Sequence, residues 1–235
     1  MRLFDISSGK NVSLEEQVET LSGWGFRRRE VCMGLFGIFG LFDLSSGKKV
    51  SLEEQVETLS RCGIRLNPSI GMEQVLESFS RKEYEKEPFR LLLIALGGTL
   101  GREPWSPLSD SVWHLDTECI DGPGSYAHIA SRIRALAGED LPLEDIKDDV
   151  DINQGIAWLS FRLDNQTIRW EPKIEQDWID TKILSDFVRL MERRNAKKRL
   201  TYLDLGGQDC LIGCSTEDEF RKLKKLTGLE FEWLR

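Results

Sequence analysis

The sequence lacks any run of apolar residues long enough to cross a lipid bilayer, which takes about 18 residues. Its longest apolar run, Leu91–Leu96, is far shorter. The first residues, MRLFDISSGKNVSLEEQ, become acidic before an apolar core begins, so they do not match a secretory signal. We therefore predict that the protein has no membrane partner.

Motifs for phosphate binding and for serine nucleophiles are also absent. The chain contains no GxGxxG, GxxxxGKS/T or GxSxG pattern, and its two histidines leave little choice of catalytic base. We expect no cofactor and favour a non-enzymatic protein. The five cysteines are odd in number and irregularly spaced, which favours reduced thiols in a cytoplasmic protein over a disulfide framework.

The charge balance is acidic. The formal net charge is −8 and the isoelectric point is about 5.0. Binding to nucleic acid relies on Lys and Arg side chains that neutralise phosphates, so this balance disfavours a nucleic-acid partner. It is compatible with a protein partner that carries a basic surface, and also with an ordinary acidic protein.

The most distinctive feature of the chain is an internal duplication. Residues 3–27 recur at 41–65, and twenty of the 25 aligned positions are identical. Each copy predicts a turn followed by a capped amphipathic helix, whose apolar stripe is Leu14, Val18 and Leu21 in the first copy. The second copy alone runs directly into a further capped helix. We therefore predict that residues 1–40 form a poorly packed appendage. We also hypothesise that residues 1–32 come from a recent duplication or an upstream start, with Met33 as the native start.

The rest of the chain predicts a single α+β domain over residues 41–235. Residues 41–98 form a helical subregion, with helices expected near 52–60, 71–80 and 88–96. The glycine-, proline- and serine-containing residues 99–110 are the best linker candidate. From about residue 111 the expected order is β-α-β-β-α-β-β-α-β. Because short hairpin connections force antiparallel pairing, we predict a mostly antiparallel sheet with helices packed on one face.

Individual elements of this region follow from local patterns. Strands are expected at 112–120, 156–163, 167–171, 200–205, 210–214 and 229–234, and helices at 125–137, 181–194 and 216–228. Residues 164–166 predict a hairpin turn. Residues 139–151 hold seven acids and one lysine, which we interpret as a solvated helix or loop.

One strand carries the strongest candidate for chemistry. His114, Asp116 and Glu118 are two residues apart, so a strand would place all three on one face. Such a row is typical of metal ligands or of a proton-transfer pair, with Asp204 beside a glycine turn as a possible fourth group. The alternative interpretation is the solvated polar face of a half-buried sheet.

Seven tryptophans are many for this length, and three of them lie near loops or the terminus. Trp105, Trp178 and Trp233 are therefore candidates for anchoring a protein partner. The leading hypothesis is a non-enzymatic acidic adaptor or an immunity or inhibitor protein. The alternatives are a metal-assisted hydrolase or nuclease that uses the His-x-Asp-x-Glu strand, and a structural or oligomerisation scaffold.

Overall fold

A computed structural model describes residues 50–101 and 106–235. The first copy of the duplication, Met33, the boundary at residue 40 and Trp105 lie outside these residues. Residues 50–101 contain four helices: α1 (Leu52–Arg61), α2 (Met72–Ser78), α3 (Arg81–Lys86) and α4 (Arg90–Gly97). No helix in the two described ranges is long and apolar enough to cross a membrane.

The second copy of the duplication forms α1, as predicted. The Ser51 side chain accepts a hydrogen bond from the Glu54 backbone N–H at 3.2 Å, which satisfies an otherwise unpaired donor at the helix start. Leu52 and Leu59 on the apolar stripe are fully buried. Helix α3 was not predicted, although Ser80 and Glu83 form a capping box at its start.

After residue 111 the chain alternates strands with three helices and a short 3-10 turn. The strands are β1 (Val112–Asp116), β2 (Glu144–Asp151), β3 (Ile156–Leu163), β4 (Gln166–Trp170), β5 (Arg199–Gly206), β6 (Asp209–Ser215) and β7 (Glu232–Trp233). The helices are α5 (Ser125–Ala137), α6 (Lys182–Arg193) and α7 (Glu217–Thr227). All strand pairs are antiparallel, which confirms the α+β prediction.

The strands divide between two sheets. One has four strands in the order β1-β6-β5-β7, and the other has three in the order β2-β3-β4. In the second sheet the β3–β4 turn has Asp164 and Asn165 at φ 51° and 62°, the left-handed conformation that tight hairpin turns require. The sequence pattern predicted this turn correctly but did not separate the sheets.

The acidic residues 139–151 were predicted as a solvated helix or loop, and this is wrong for Glu144–Asp151, which form strand β2. Val150 is buried and Ile146 packs partly against the core, so an apolar alternation is present between the acids. One acid has a local role. The Asp148 carboxylate accepts hydrogen bonds from the backbone N–H groups of Gly124 and Ala127, at 2.8 and 3.0 Å, at the start of α5.

The four-stranded sheet has an apolar core on each of its faces. On one face Leu115 and Ile212 pack with α5, α6 and the three-stranded sheet, which together form the first core. On the other face Leu203 and Leu211 pack with α1–α4 and Leu223 of α7, which form the second core. Helices therefore cover both faces of this sheet, whereas we had predicted them on one face of a single sheet.

Three aromatic rings join α6 to the three-stranded sheet within the first core. Phe187 of α6 lies 5.8 Å from Phe161 and 4.8 Å from Trp170, measured between ring centroids, and these two strand residues are 4.9 Å apart. Phe187 and Phe161 are buried. The trio fixes the position of α6 relative to β3 and β4.

Candidate functional site

Three loops meet at one end of the four-stranded sheet, and we call residues 116–121, 171–180 and 204–209 the acidic loops. The Thr117 backbone N–H and hydroxyl both donate to the Gln208 carbonyl, at 3.1 and 2.9 Å. The Ile179 N–H donates to the Thr117 carbonyl, at 2.8 Å, and the Ile120 N–H donates to the Asp177 carbonyl, at 2.9 Å. Backbone hydrogen bonds therefore hold the three loops against one another.

The acidic loops carry nine carboxylates and one basic side chain, Lys173. The acids are Asp116, Glu118, Asp121, Glu171, Glu175, Asp177, Asp180, Asp204 and Asp209. Asp121, Glu171, Glu175 and Asp204 are exposed, whereas Asp209 is buried. This concentration of one charge sign creates a negative potential at this end of the molecule.

His114 and Asp116 share one face of β1, as the period of the strand predicted. Asp116 is paired across the sheet with Asp209, the first residue of β6. His114 Nε2 lies 3.3 Å from Asp209 Oδ1, and the Asp209 side chain is only 6% exposed. The approach lacks hydrogen-bond geometry, so within the described part of the chain this buried nitrogen has no hydrogen-bond partner. Asp209 is thus a member of the site that the His-x-Asp-x-Glu pattern did not include.

Glu118 does not continue the strand, because β1 ends at Asp116. It returns to the group through Gln208, whose side-chain amide donates to Asp116 Oδ1 at 3.2 Å and to Glu118 Oε2 at 3.0 Å. The Glu118 backbone N–H also donates to Asp116 Oδ1, at 2.9 Å. One amide therefore bridges two carboxylates that would otherwise repel each other.

The environment of Asp116 disfavours ionisation of its carboxyl group. Burial raises the pKa of Asp116, and the charge of Asp209 raises it further. Hydrogen bonds from Glu118 and Gln208 act in the opposite direction. On the other face of the sheet, burial followed by the charge of Asp209 raises the pKa of the Cys210 thiol to about 12.

The fourth predicted group, Asp204, is on the opposite face. Its neighbours Leu203 and Leu205 belong to the second core, while Asp204 alternates with them and accepts a hydrogen bond from the Gly206 N–H at 2.8 Å. Among residues 50–101 and 106–235, no three His, Cys, Asp or Glu side chains are grouped so as to hold a metal ion. The structure thus places His114 and Asp116 on one face and links Glu118 to Asp116 through Gln208, whereas Asp204 lies on the opposite face.

The two described tryptophan candidates have different surroundings. Trp178 lies within the acidic loops and is 39% exposed. The Trp233 ring is stacked on Phe220 with centroids 3.9 Å apart, and the Arg199 guanidinium lies 4.5 Å from the Trp233 ring centroid. The Trp233 ring therefore packs within the chain. Trp178 is the aromatic side chain that the acidic loops expose to solvent.

A cleft of about 300 Å³ opens beside the acidic loops. Gln208 and Thr117 line one side, while Leu184 and Ser185 of α6 and Tyr202 of β5 line the others. Burial raises the pKa of the Tyr202 phenol, and the charge of Asp204 raises it further. The charge of Asp204 therefore acts on a phenol that lines this cleft.

The sequence did not predict that Gln208 and Asp209 lie beside His114 and Asp116, although Asp209 follows a recognisable glycine turn. Gln208 and Asp209 follow the Gly206-Gly207 turn, where both glycines have positive φ, so the turn itself was a visible signal. The position of β1 beside this turn depends on its pairing with β6, and no local sequence pattern predicts that pairing. Comparison with protein-family models, with curated proteins and with solved structures found no match.

Proposed function

We propose that this protein is a non-enzymatic, cytoplasmic protein-binding protein of the adaptor or immunity type, and that it binds a basic partner surface through the acidic loops. The observation that carries the proposal is the combination of an exposed tryptophan, Trp178, with nine carboxylates on three interlocked loops. Tryptophan contributes large contact energies in protein interfaces, and a charge of one sign selects partners of the other.

The rigidity of the loops supports a binding role. The Trp178 N–H donates to the Glu175 carbonyl at 3.1 Å, and the N–H of its buried neighbour Ile179 donates to the Thr117 carbonyl at 2.8 Å. A loop backbone held in position before binding loses less conformational entropy when the partner arrives. The adjacent cleft gives a partner side chain a place to enter between α6 and Tyr202.

The cysteines are in keeping with a reducing compartment. Cys62, Cys119, Cys210 and Cys214 form no disulfide within the described residues. For the hydrolase and scaffold alternatives, the described residues offer no combination comparable to that of Trp178 and the acidic loops.

A pull-down from the native cell, followed by titration of the purified partner, tests the proposal. We expect a basic partner that binds the wild-type chain and whose affinity falls at least about tenfold for Trp178→Ala. Glu175→Gln combined with Asp177→Asn should weaken binding as well. Raising the salt from about 50 to about 500 mM should weaken the wild-type complex, because it screens exposed charges.

Matched variants away from the loops provide the controls. Leu226→Ala removes an exposed apolar side chain on α7, which is 41% exposed. Glu73→Gln combined with Glu192→Gln removes the same number of charges from exposed positions on α2 and α6. Both controls should bind like wild type. A partner that binds the Trp178→Ala and loop-charge variants as tightly as the controls would refute the proposal.

A further inference from the structure

Helix α1 occupies a groove in the second core. Its apolar side chains pack there, and its one buried amide forms hydrogen bonds there. Leu52, Gln55 and Leu59 are fully buried there. The Gln55 amide donates to the carbonyls of Tyr84, at 2.9 Å, and Val50, at 3.0 Å, and its oxygen accepts from the Phe89 N–H at 2.9 Å. We call this site, lined by α3, α7 and the residues around Phe89, the α1 groove.

The first copy of the duplication carries the same residues as α1 from its capping serine to Ser60. Residues 14–22 and 52–60 have the same sequence, LEEQVETLS. Leu14, Gln17 and Leu21 therefore correspond to the three fully buried residues of α1, and Ser13 corresponds to its capping residue. Gly25 corresponds to Gly63, where φ is +88° and an added Cβ would lie 2.6 Å from Glu219 Oε1.

We propose that the α1 groove accepts either copy, so that residues 13–25 compete with residues 51–63 of the same chain for one site. When the first copy is in the groove, residues 28–65 become the connection between Arg27 and Leu66. This connection has 38 residues, and the entropy cost of closing a loop grows only slowly with its length. The exchange is therefore possible without a break in the path of the remaining chain.

Two differences make the second copy the preferred occupant. Cys62 is 0% exposed, and its counterpart Trp24 is much larger, so an indole at this position must displace its neighbours. Arg61, the last residue of α1, corresponds to Gly23, which is a poorer helix former. The wild-type chain therefore uses residues 51–63, and the first copy enters when the second is impaired.

Four full-length chains test this exchange: wild type, Leu21→Asp, Leu59→Asp and the double variant. Leu21→Asp should leave the melting temperature unchanged, because its copy is outside the groove. Leu59→Asp should lower the melting temperature but keep a cooperative transition, because the first copy replaces the damaged one. The double variant should lose far more than the sum of the two single changes. Equal losses in Leu59→Asp and the double variant would overturn the proposal.

Thiol labelling identifies which copy is in the groove. In the native Leu59→Asp chain, Cys62 should react with a maleimide, while the buried thiols Cys210 and Cys214 stay protected. In wild type all three should be protected. Labelling of all three in Leu59→Asp would mean general unfolding, and protection of all three would mean that α1 never left; either result overturns the exchange. The mass of Leu59→Asp in solution should equal that of wild type, and a dimer would overturn exchange within one chain.

Discussion

Truncation of Phe187 should weaken the attachment between α6 and the three-stranded sheet. Phe187 is 0% exposed and contacts two aromatic rings, at centroid distances of 5.8 and 4.8 Å. Phe→Ala in a core costs about 3–5 kcal/mol, because transfer free energy is lost and a cavity is left. The loss of two ring pairs places Phe187→Ala in the upper part of that range, about 4–5 kcal/mol.

This loss is large compared with the free energy of unfolding of a domain, which is typically about 5–15 kcal/mol. It should appear in urea unfolding followed by far-ultraviolet circular dichroism as a lower midpoint with an unchanged slope. Circular dichroism is preferred to fluorescence because Trp170 contacts the mutated ring. Leu226→Ala serves as the control, with an expected change below about 0.5 kcal/mol. A loss below about 2 kcal/mol for Phe187→Ala would refute the assigned packing.

Two further substitutions probe the sheet beside the acidic loops. Because the pKa of Asp116 is raised in the folded state, the folded state binds the Asp116 proton more tightly than the unfolded state does. The free energy of unfolding of the wild type therefore falls as the pH rises from the unfolded-state pKa, near 3.8, through the folded-state pKa. Asp116→Asn keeps the acceptor oxygen and should be more stable than wild type at about pH 7, with no difference near pH 3. A variant that is less stable than wild type at about pH 7 would contradict this. Gly97→Ala should lower the free energy of unfolding by about 1–3 kcal/mol or more, because its Cβ would lie 2.4 Å from the His114 backbone nitrogen. Gly71→Ala is the matched control in the same denaturation assay, because a Cβ added at Gly71 would contact only the flexible Gln74 side chain. Equal losses of unfolding free energy in the two variants would contradict the close approach of α4 and β1.

Local patterns predicted the elements whose signals are local. The hairpins around residues 164–166 and 206–208 and the capped helices α1 and α7 all follow from turn chemistry, capping boxes and alternation. Strand β1 was predicted to run to residue 120 because the alternation continues. Beyond Asp116 the chain leaves the sheet, and the Ile120 N–H bonds to the Asp177 carbonyl of a distant loop.

The site was predictable only in part, for the same reason. The period of a strand places His114 and Asp116 on one face, and this inference needs one strand only. The position of Asp209 opposite Asp116, and the bridge from Gln208, depend on the pairing of β1 with β6, almost a hundred residues later in the chain. The acidity of residues 139–151 concealed the alternation of β2, because the buried positions are few and Asp148 serves as a capping residue.

The position of the four-stranded sheet between two cores has a consequence for the cooperativity of unfolding. Successive residues of the same strand belong to different cores, as Leu211 and Ile212 do on β6. Separation of β6 from the sheet would expose apolar surface in both cores at once. We therefore expect that neither core unfolds while the other stays intact. Native-state hydrogen exchange should therefore give the amides of β5 and β6 the highest opening free energy in the molecule, equal to that of global unfolding.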